Sequence, residues 1–347
     1  MQILVAGASG FRDHAAAPGV SGAPGGRGDA VPRSVCVVGA GLAGIACARV
    51  LTDAGRRVVV LERARTVGGR MASGAVAGRP VDSGAQYLTV SSEPFRAVVS
   101  SWAGRGLARP WTDAFAAHEG GRLLPPKPGP LRWGTPLGLR SLVADLAKGL
   151  DVRLRTTVEG VAAGLHGPTV DGAAYDAVLL AMPDPQALRL LGAGLAAERA
   201  EIAGRAWEPQ LALLCGWPRR SWDVDAAFVN DSSVLGFVAD DGSRRGDGAP
   251  VLVAHSTPGF AAGRLASPAA AAPAMTAALA GVLGLTAEPV WSHVRRWTFA
   301  RPAASRAEPF FLGASRVGLC GDAWGNSKVE TAWASGDALG RALLDAL

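Results

Sequence analysis

SVCVVGAGLAGIACARVLTDAGRRVVVLERARTVGGRM, residues 34–71, is the stretch on which the fold turns. Ser34 to Val38 is a short apolar run and reads as a buried strand. Gly39, Ala40, Gly41, Leu42, Ala43 and Gly44 read as a tight turn, and Ala43 to Ala54 as a helix. Arg57 to Leu61 is a second strand, closed by Glu62. The result is a βαβ unit with a GxGxxG fingerprint in frame. Gly39 makes the sharp turn, Gly41 lets backbone approach a pyrophosphate, and Gly44 lets helix and strand pack closely. Leu42 and Ala43 open the helix, whose free N–H groups and positive dipole end face the phosphates. Glu62 follows Gly39 by 23 residues and is placed to accept hydrogen bonds from the hydroxyls of an unphosphorylated ribose. In a chain with 46 glycines the fingerprint alone is weak; the strand, helix, strand and acid in register carry it.

Beyond Glu62 and Arg63 comes Gly68-Gly69-Arg70-Met71, which a nicotinamide-binding domain does not need. Arg70 on a glycine turn can reach a diphosphate from the side opposite the helix. With this series of motifs the sequence resembles the flavin-containing amine oxidoreductase superfamily, so the expected dinucleotide is FAD. The second motif of the resemblance is Gly321-Asp322 followed by Val329-Glu330-Thr331. It implies an aspartate on the ribityl chain and a helix aimed at the pyrimidine edge of the flavin. A helix N-terminus there stabilises the negative charge of reduced flavin. The segments from Asp82 to Thr89, from His255 to Phe260 and from Arg296 to Pro302 look like bacterial renalase-like proteins. That resemblance runs from about Ser34 to Leu347. It implies Ala85, Gln86 and Tyr87 along the flavin, His255 facing it, and Trp297 closing one side of the pocket, with Val158 among the cofactor residues. His255, Trp297 and Tyr87 are therefore the expected catalytic residues. Gly39, Gly41, Leu42, Ala43, Gly44, Glu62, Arg63, Gly69, Arg70, Met71, Ala85, Gln86, Tyr87, Val158, Gly321, Asp322, Val329, Glu330 and Thr331 are the expected cofactor residues. The implied reaction is oxidation of 2- or 6-dihydro-NAD(P) isomers by hydride transfer to flavin, with oxygen as acceptor.

Composition bounds these readings. The chain has 347 residues, 49% of them hydrophobic, enough for two domains and a sizeable core. Its net charge of +6 comes almost wholly from arginine, since Lys127, Lys148 and Lys328 are its lysines. The basic residues are scattered, which argues against a nucleic-acid face. Cys36, Cys47, Cys215 and Cys320 lie far apart in apolar runs without a CxxC, so they read as buried thiols of a reducing cytoplasm and offer no metal cluster. No stretch reads as a membrane span or signal peptide. Cys320 lies inside a strand rather than beside the flavin motif, so FAD is expected to be non-covalent.

The expected fold is α/β: a Rossmann-like FAD-binding domain of the p-hydroxybenzoate-hydroxylase-like type with an inserted antiparallel-sheet substrate domain. Residues 1–33, rich in Ala, Gly and Pro, are expected to form a disordered arm. Segments 34–90, 138–188 and 301–347 are assigned to the cofactor domain, and 91–137 and 189–300 to the substrate domain. Within them, Arg79 to Val90 and Asp151 to Val158 are expected strands, Pro183 to Ala203 a helical stretch, and Pro125 to Pro130 a turn. Two alternatives remain: oxidation of an amine or a secondary metabolite, and a flavin-binding protein without turnover. Against amine oxidation stand the absence of lysine between Lys148 and Lys328 and the presence of only two tyrosines, Tyr87 and Tyr175. Amine oxidases of the superfamily commonly use such a lysine and a tyrosine pair. A small-molecule substrate is the expected partner.

Overall fold

The computed structural model describes residues 34–347; the expected N-terminal arm lies outside the described residues. The fingerprint strand β1 (Ser34–Val38) sits at the centre of a six-stranded sheet. Beside it lie β2 (Arg57–Glu62) and then β7 (Asp151–Leu154) on one side. On the other side lie β11 (Ala177–Leu180), β18 (Val317–Leu319) and β17 (Phe311–Leu312). All these pairs are parallel except β17 with β18. Both faces of the sheet are covered, which is why β1 and β11 are apolar at nearly every position rather than alternating.

One face packs on α1 (Leu42–Asp53), α2 (Glu93–Gly104), α3 (Arg140–Leu146) and α9 (Val329–Ala346). The other is covered by α4 (Asp184–Leu190), α5 (Ala196–Ile202) and a small antiparallel sheet of β8 (Val161–Ala162), β9 (Thr169–Val170) and β10 (Ala173–Ala174). Sequence order places β2 and β11 on opposite sides of β1. The connections therefore diverge at the carboxyl end of β1, where open α/β sheets bind ligands.

The second sheet has seven strands: β5 (Arg109–Glu119), β6 (Arg122–Gly134), β12 (Trp207–Gly216), β13 (Ala226–Val229), β14 (Leu235–Asp240), β15 (Val251–Ser256) and β16 (Trp291–Pro302). Their order is β16-β12-β15-β14-β13-β5-β6. It is antiparallel as expected except at one seam, where β13 runs parallel to β5. Alternation assigns its faces. Leu211, Val229, Val238 and Ala254 pack on α7 (Pro258–Ala262) and α8 (Ala272–Leu283). Their chain neighbours Gln210, Phe228, Phe237 and His255 point the other way, into a cavity. A short α6 (Asp241–Arg245) follows β14, and a hairpin of β3 (Ser73–Val76) and β4 (Arg79–Asp82) links the glycine-rich turn to the cavity wall.

The structure redraws several expected boundaries. Helix α2 belongs with the parallel sheet, because Phe95, Val99 and Trp102 are buried in its core and Phe95 meets Trp333 of α9 at 5.4 Å. Ala187, Leu191, Leu195 and Ile202 likewise pack under the parallel sheet, so the second sheet resumes at β12 rather than at residue 189. The helical stretch from Pro183 to Ala203 consists of two short helices, α4 and α5. Pro125 to Pro130 is not a turn: it runs inside β6, an edge strand where missing N–H donors cost no ladder bond. The turn is instead Gly120-Gly121, both at positive φ. The strand expected from Arg79 to Val90 stops at Asp82, and the one from Asp151 to Val158 stops at Leu154, where Arg155 takes a left-handed φ of 56°. Both early ends turn chain toward the cavity.

Among the described residues no helix is long and apolar enough to cross a membrane, and no group of side chains has the makings of a metal site. The four cysteines are buried and unpaired, with burial pushing the Cys36, Cys215 and Cys320 thiols up to about 12.

Candidate functional site

A cavity of about 1060 Å³ runs from the carboxyl ends of β1, β2, β11 and β18 to the inner face of the second sheet. At the first end the backbone forms a cradle. Gly39 sits at φ +108°, and a Cβ there would stand 2.6 Å from the Ala181 carbonyl oxygen. A Cβ on Gly44 would stand 2.0 Å from the Gly39 oxygen. Gly44 thus does not line the cavity: it fixes how α1 meets β1. Glu62 accepts N–H bonds from Ala40 and Ala64, each at 2.8 Å, and still lines the cavity with lone pairs to spare. Arg63, Gly41, Leu42, Ala43, Gly69, Met71 and Val158 line the same end.

Arg70 and Asp322 face each other across it. The guanidinium donates to both carboxylate oxygens at 2.8 and 2.5 Å, and also to the Ala300 carbonyl at 3.2 Å. Asp322 further accepts from the Ser327 hydroxyl at 2.5 Å. Gly321 and Val329 also line the cavity, but the side chains of Glu330 and Thr331 are turned elsewhere. The Glu330 carboxylate takes the Ser91 N–H at 2.8 Å, the Ser92 N–H at 2.7 Å and the Ser92 hydroxyl at 2.6 Å. Burial works to raise that carboxyl, but these donors outweigh it and hold it below the usual range. Thr331 donates to the Asn326 carbonyl. Helix α9 is therefore anchored to the start of α2 by an acid that the motif reading had placed on the cofactor.

This end fits a flavin dinucleotide on three observations. The Gly39 turn excludes a side chain, the first turn of α1 opens onto the cavity, and the volume exceeds what one nucleotide needs.

At the other end Ala85, Gln86, Tyr87, Trp297 and His255 converge. Trp297 donates its indole N–H to the Ser83 carbonyl at 2.6 Å, which ties β16 to the segment after β4. Gln86 is fully engaged: its amide donates to the Asp82 and Gly84 carbonyls at 2.8 and 3.0 Å and accepts from Arg244. His255 is 9% exposed, with its Nε2 3.4 Å from the Gln86 amide nitrogen. Burial, with the Arg244 charge adding to it, lowers its pKa to about 4. The ring is neutral at physiological pH. Tyr87 is held in an aromatic group with Trp111, Phe115 and Phe237 at centroid distances of 5.3 to 6.3 Å. Burial raises its phenol pKa.

Two features escaped the sequence reading. Arg244 and Arg245 look like a solvated pair on a charged turn, yet both are buried. Arg244 bonds Asp241, the Gln86 side chain and the Gln86 carbonyl, the last at 2.9 Å. Arg245 meets Asp241 at 2.9 Å and Asp82 at 3.2 Å, and Arg79 meets Asp241 at 2.7 Å. Burial would raise the Asp241 carboxyl, but the three guanidiniums hold it below the usual range. The acid-to-base spacing of four between Asp241 and Arg245 was the available signal. The second missed residue is Arg132, stacked over Phe115 at 3.8 Å and also in the cavity wall.

Comparison with known proteins bears on what this cavity holds. The profile of an NAD(P)-binding Rossmann-like domain matches residues 37–102, and that of the flavin containing amine oxidoreductases matches 103–342. Putrescine oxidase of Kocuria rosea is 44% identical over 70 residues, 20% of this chain and 15% of that protein. Polyamine oxidase 4 of Oryza sativa subsp. japonica is 46% identical over 59 residues, 17% of this chain and 12% of that protein. The alignments thus span a small part of the curated relatives' length. Cyclohexylamine oxidase from Brevibacterium oxydans superposes with a TM-score of 0.73 over 91% of this chain and 99% of that one, at 14% identity. That last likeness is one of fold.

Proposed function

Because the chain belongs to the flavin containing amine oxidoreductase family, whose cofactor is FAD, we propose that it is an FAD-dependent oxidase of an anionic dihydronicotinamide, of the renalase type. The observation that carries this reading is the charge of the cavity wall. Eight arginines and Lys328 line it against two carboxylates, Glu62 and Asp322. Asp322 is already paired with Arg70, and Glu62 lies at the dinucleotide end. The wall around His255 and Trp297 offers no acid to a protonated amine, while Arg295 and Arg132 offer charge to a phosphate.

FAD, when bound, supplies the hydride acceptor and hands electrons on to oxygen. Glycine turn, α1 N-terminus, Glu62, Arg70 and Asp322 would hold it. The chain's own contribution at the reacting end is orientation and dryness. Trp297, locked to Ser83, forms one wall, and Tyr87 with Phe237 another. Neutral His255 can pack against an uncharged ring without adding a charge that would oppose a developing cation. No proton donor is required for hydride transfer.

The second reading, amine oxidation, draws on the aromatic faces of Tyr87, Phe228 and Phe237, which attract cations, and on the names of the relatives. An anaerobic titration of the holoenzyme separates the readings. Bleaching of the flavin's visible band by borohydride-generated dihydro-NAD(P) isomers, reversed by air, is the expected result. Bleaching by putrescine or cyclohexylamine alone would replace it with amine oxidation. No bleaching by either set would leave a flavin-binding protein without these activities.

A further inference from the structure

We propose that Arg132 is the anchor for a phosphate or carboxylate at the end of the substrate remote from its reacting ring, an inference that deepens the reading of the cavity as a site for anionic dihydronicotinamides. Four arginines are buried among the described residues: Arg132, Arg244, Arg245 and Arg306. Arg244 and Arg245 are paired with Asp82 and Asp241, and Arg306 with Asp184. Arg132 is 8% exposed and has no ion pair. Its Nε and Nη1 are enclosed without a hydrogen-bond acceptor. A buried guanidinium presents a planar fork that a phosphate or carboxylate completes. What supports it in the structure is the Phe115 ring, 3.8 Å away, which attracts the cation, and a hydrogen bond with the Tyr87 side chain; neither supplies an anion, and Nε and Nη1 are left unbonded.

Its placement fixes which end of a ligand it would meet. From His255 a run of packed rings passes to Phe237 at 6.2 Å and on to Phe115, buried behind the wall, at 5.6 Å, with Tyr87 against both and Arg132 beyond. Two ring-to-ring steps, His255 to Phe237 and Phe237 to Phe115, separate the reacting end from Arg132. A substrate that spans them has a planar ring at His255 and Trp297 and an acidic group on a connecting arm. A nicotinamide nucleotide, with its phosphate beyond the ribose, has that form.

The test uses the oxidised holoenzyme and binding measured by calorimetry, so it does not depend on turnover. The probes are nicotinamide mononucleotide, nicotinamide riboside and benzoate. For the unaltered protein the mononucleotide is expected to bind about ten-fold or more tighter than the riboside, the worth of one charge-assisted contact. Arg132→Met is expected to abolish that preference with the riboside affinity unchanged, and Arg132→Lys to keep part of it. Preference for the mononucleotide that survives Arg132→Met in a protein of unaltered flavin content would overturn the proposal. If Arg132→Met does not fold, Arg132→Lys decides: an undiminished preference overturns the proposal, since a lysine lacks the fork. Arg132-dependent binding of benzoate with none of the mononucleotide would sustain the anchor and sink the dihydronicotinamide reading. No Arg132-dependent binding of any probe would sink the anchor, whichever substrate reduces the flavin.

Discussion

Replacing His255 by glutamine should remove an acid sensitivity that the fold builds into this chain. The imidazole is 9% exposed on β15, and its pKa is lowered from 6.5 to about 4, first by burial and then by the Arg244 charge. Between those two values the unfolded chain binds a proton that the folded chain excludes. Stability is therefore lost as pH falls through 6.5 toward 4 and is unaffected by this group above 6.5. At about 1.4 kcal/mol for each pH unit the full effect is about 3 kcal/mol, of which about 2.5 is realised between about pH 7.5 and about pH 4.5. Urea unfolding of the holoenzyme and of His255→Gln at those two pH values measures it. The difference in unfolding free energy between the two proteins should move by that amount in favour of the variant on acidification. NMR of histidine Cε1 resonances, with the variant assigning one of the chain's five, gives the pKa directly. A free-energy difference that stays flat with pH, or a His255 that titrates near 6.5, would refute the account of a desolvated neutral ring.

Three further outcomes can be checked. Asp241→Asn should cost about 3–5 kcal/mol in urea unfolding, because Arg244 and Arg245 would then share Asp82 as their one buried carboxylate and Arg79 would keep only the exposed Asp247; an unchanged midpoint would contradict the clamp. Gly39→Ala should purify with little flavin, since its Cβ would strike the Ala181 oxygen at a φ alanine avoids; a full complement of flavin, read as the ratio of visible to protein absorbance, would refute the cradle. Acid precipitation should leave all flavin in the supernatant, because the cysteine nearest the second motif, Cys320, is 1% exposed inside the parallel sheet; flavin retained in the pellet would show a covalent link.

The cofactor half was legible because its constraints are local. A glycine turn, a helix start and an acid at the end of the next strand must fall at fixed spacings, and all of them belong to one segment, β1 to β2. The same holds for Gly321 and Asp322, which follow directly on β18. Glu330 was misread for the same reason: the motif gives its position, but only the fold shows that α2 begins beneath it and draws its carboxylate to Ser91 and Ser92. The substrate half was legible as strands and not as a wall. Phe115, Phe228, Phe237 and Tyr87 stand on three strands and a loop separated by up to 150 residues, and nothing in their own neighbourhoods marks them as one group. Pro125 to Pro130 misled because proline reads as a turn wherever it stands, whereas at a sheet edge it is an ordinary strand residue.

The two buried arginine arrangements differ in what they do for the cavity. Around Asp82 and Asp241 each guanidinium has found its anion within the chain, so the cluster is closed, and its effect on the site is mechanical. Arg244 grips both the carbonyl and the amide of Gln86, and Gln86 in turn fixes the segment that carries Ala85 and Tyr87 to the wall. Arg132, on the same side of the cavity, has found none. A fold able to supply two buried carboxylates to one cluster, while leaving a fourth buried cation stacked on a phenyl ring, keeps that cation for something that enters from outside. The excess of positive charge along the wall is what the proposed anionic substrate would meet. Sequence likeness to oxidases of putrescine and polyamines covers at most a fifth of the chain. Among the described residues, the cavity lining around His255 offers aromatic faces and arginines and no carboxylate of its own.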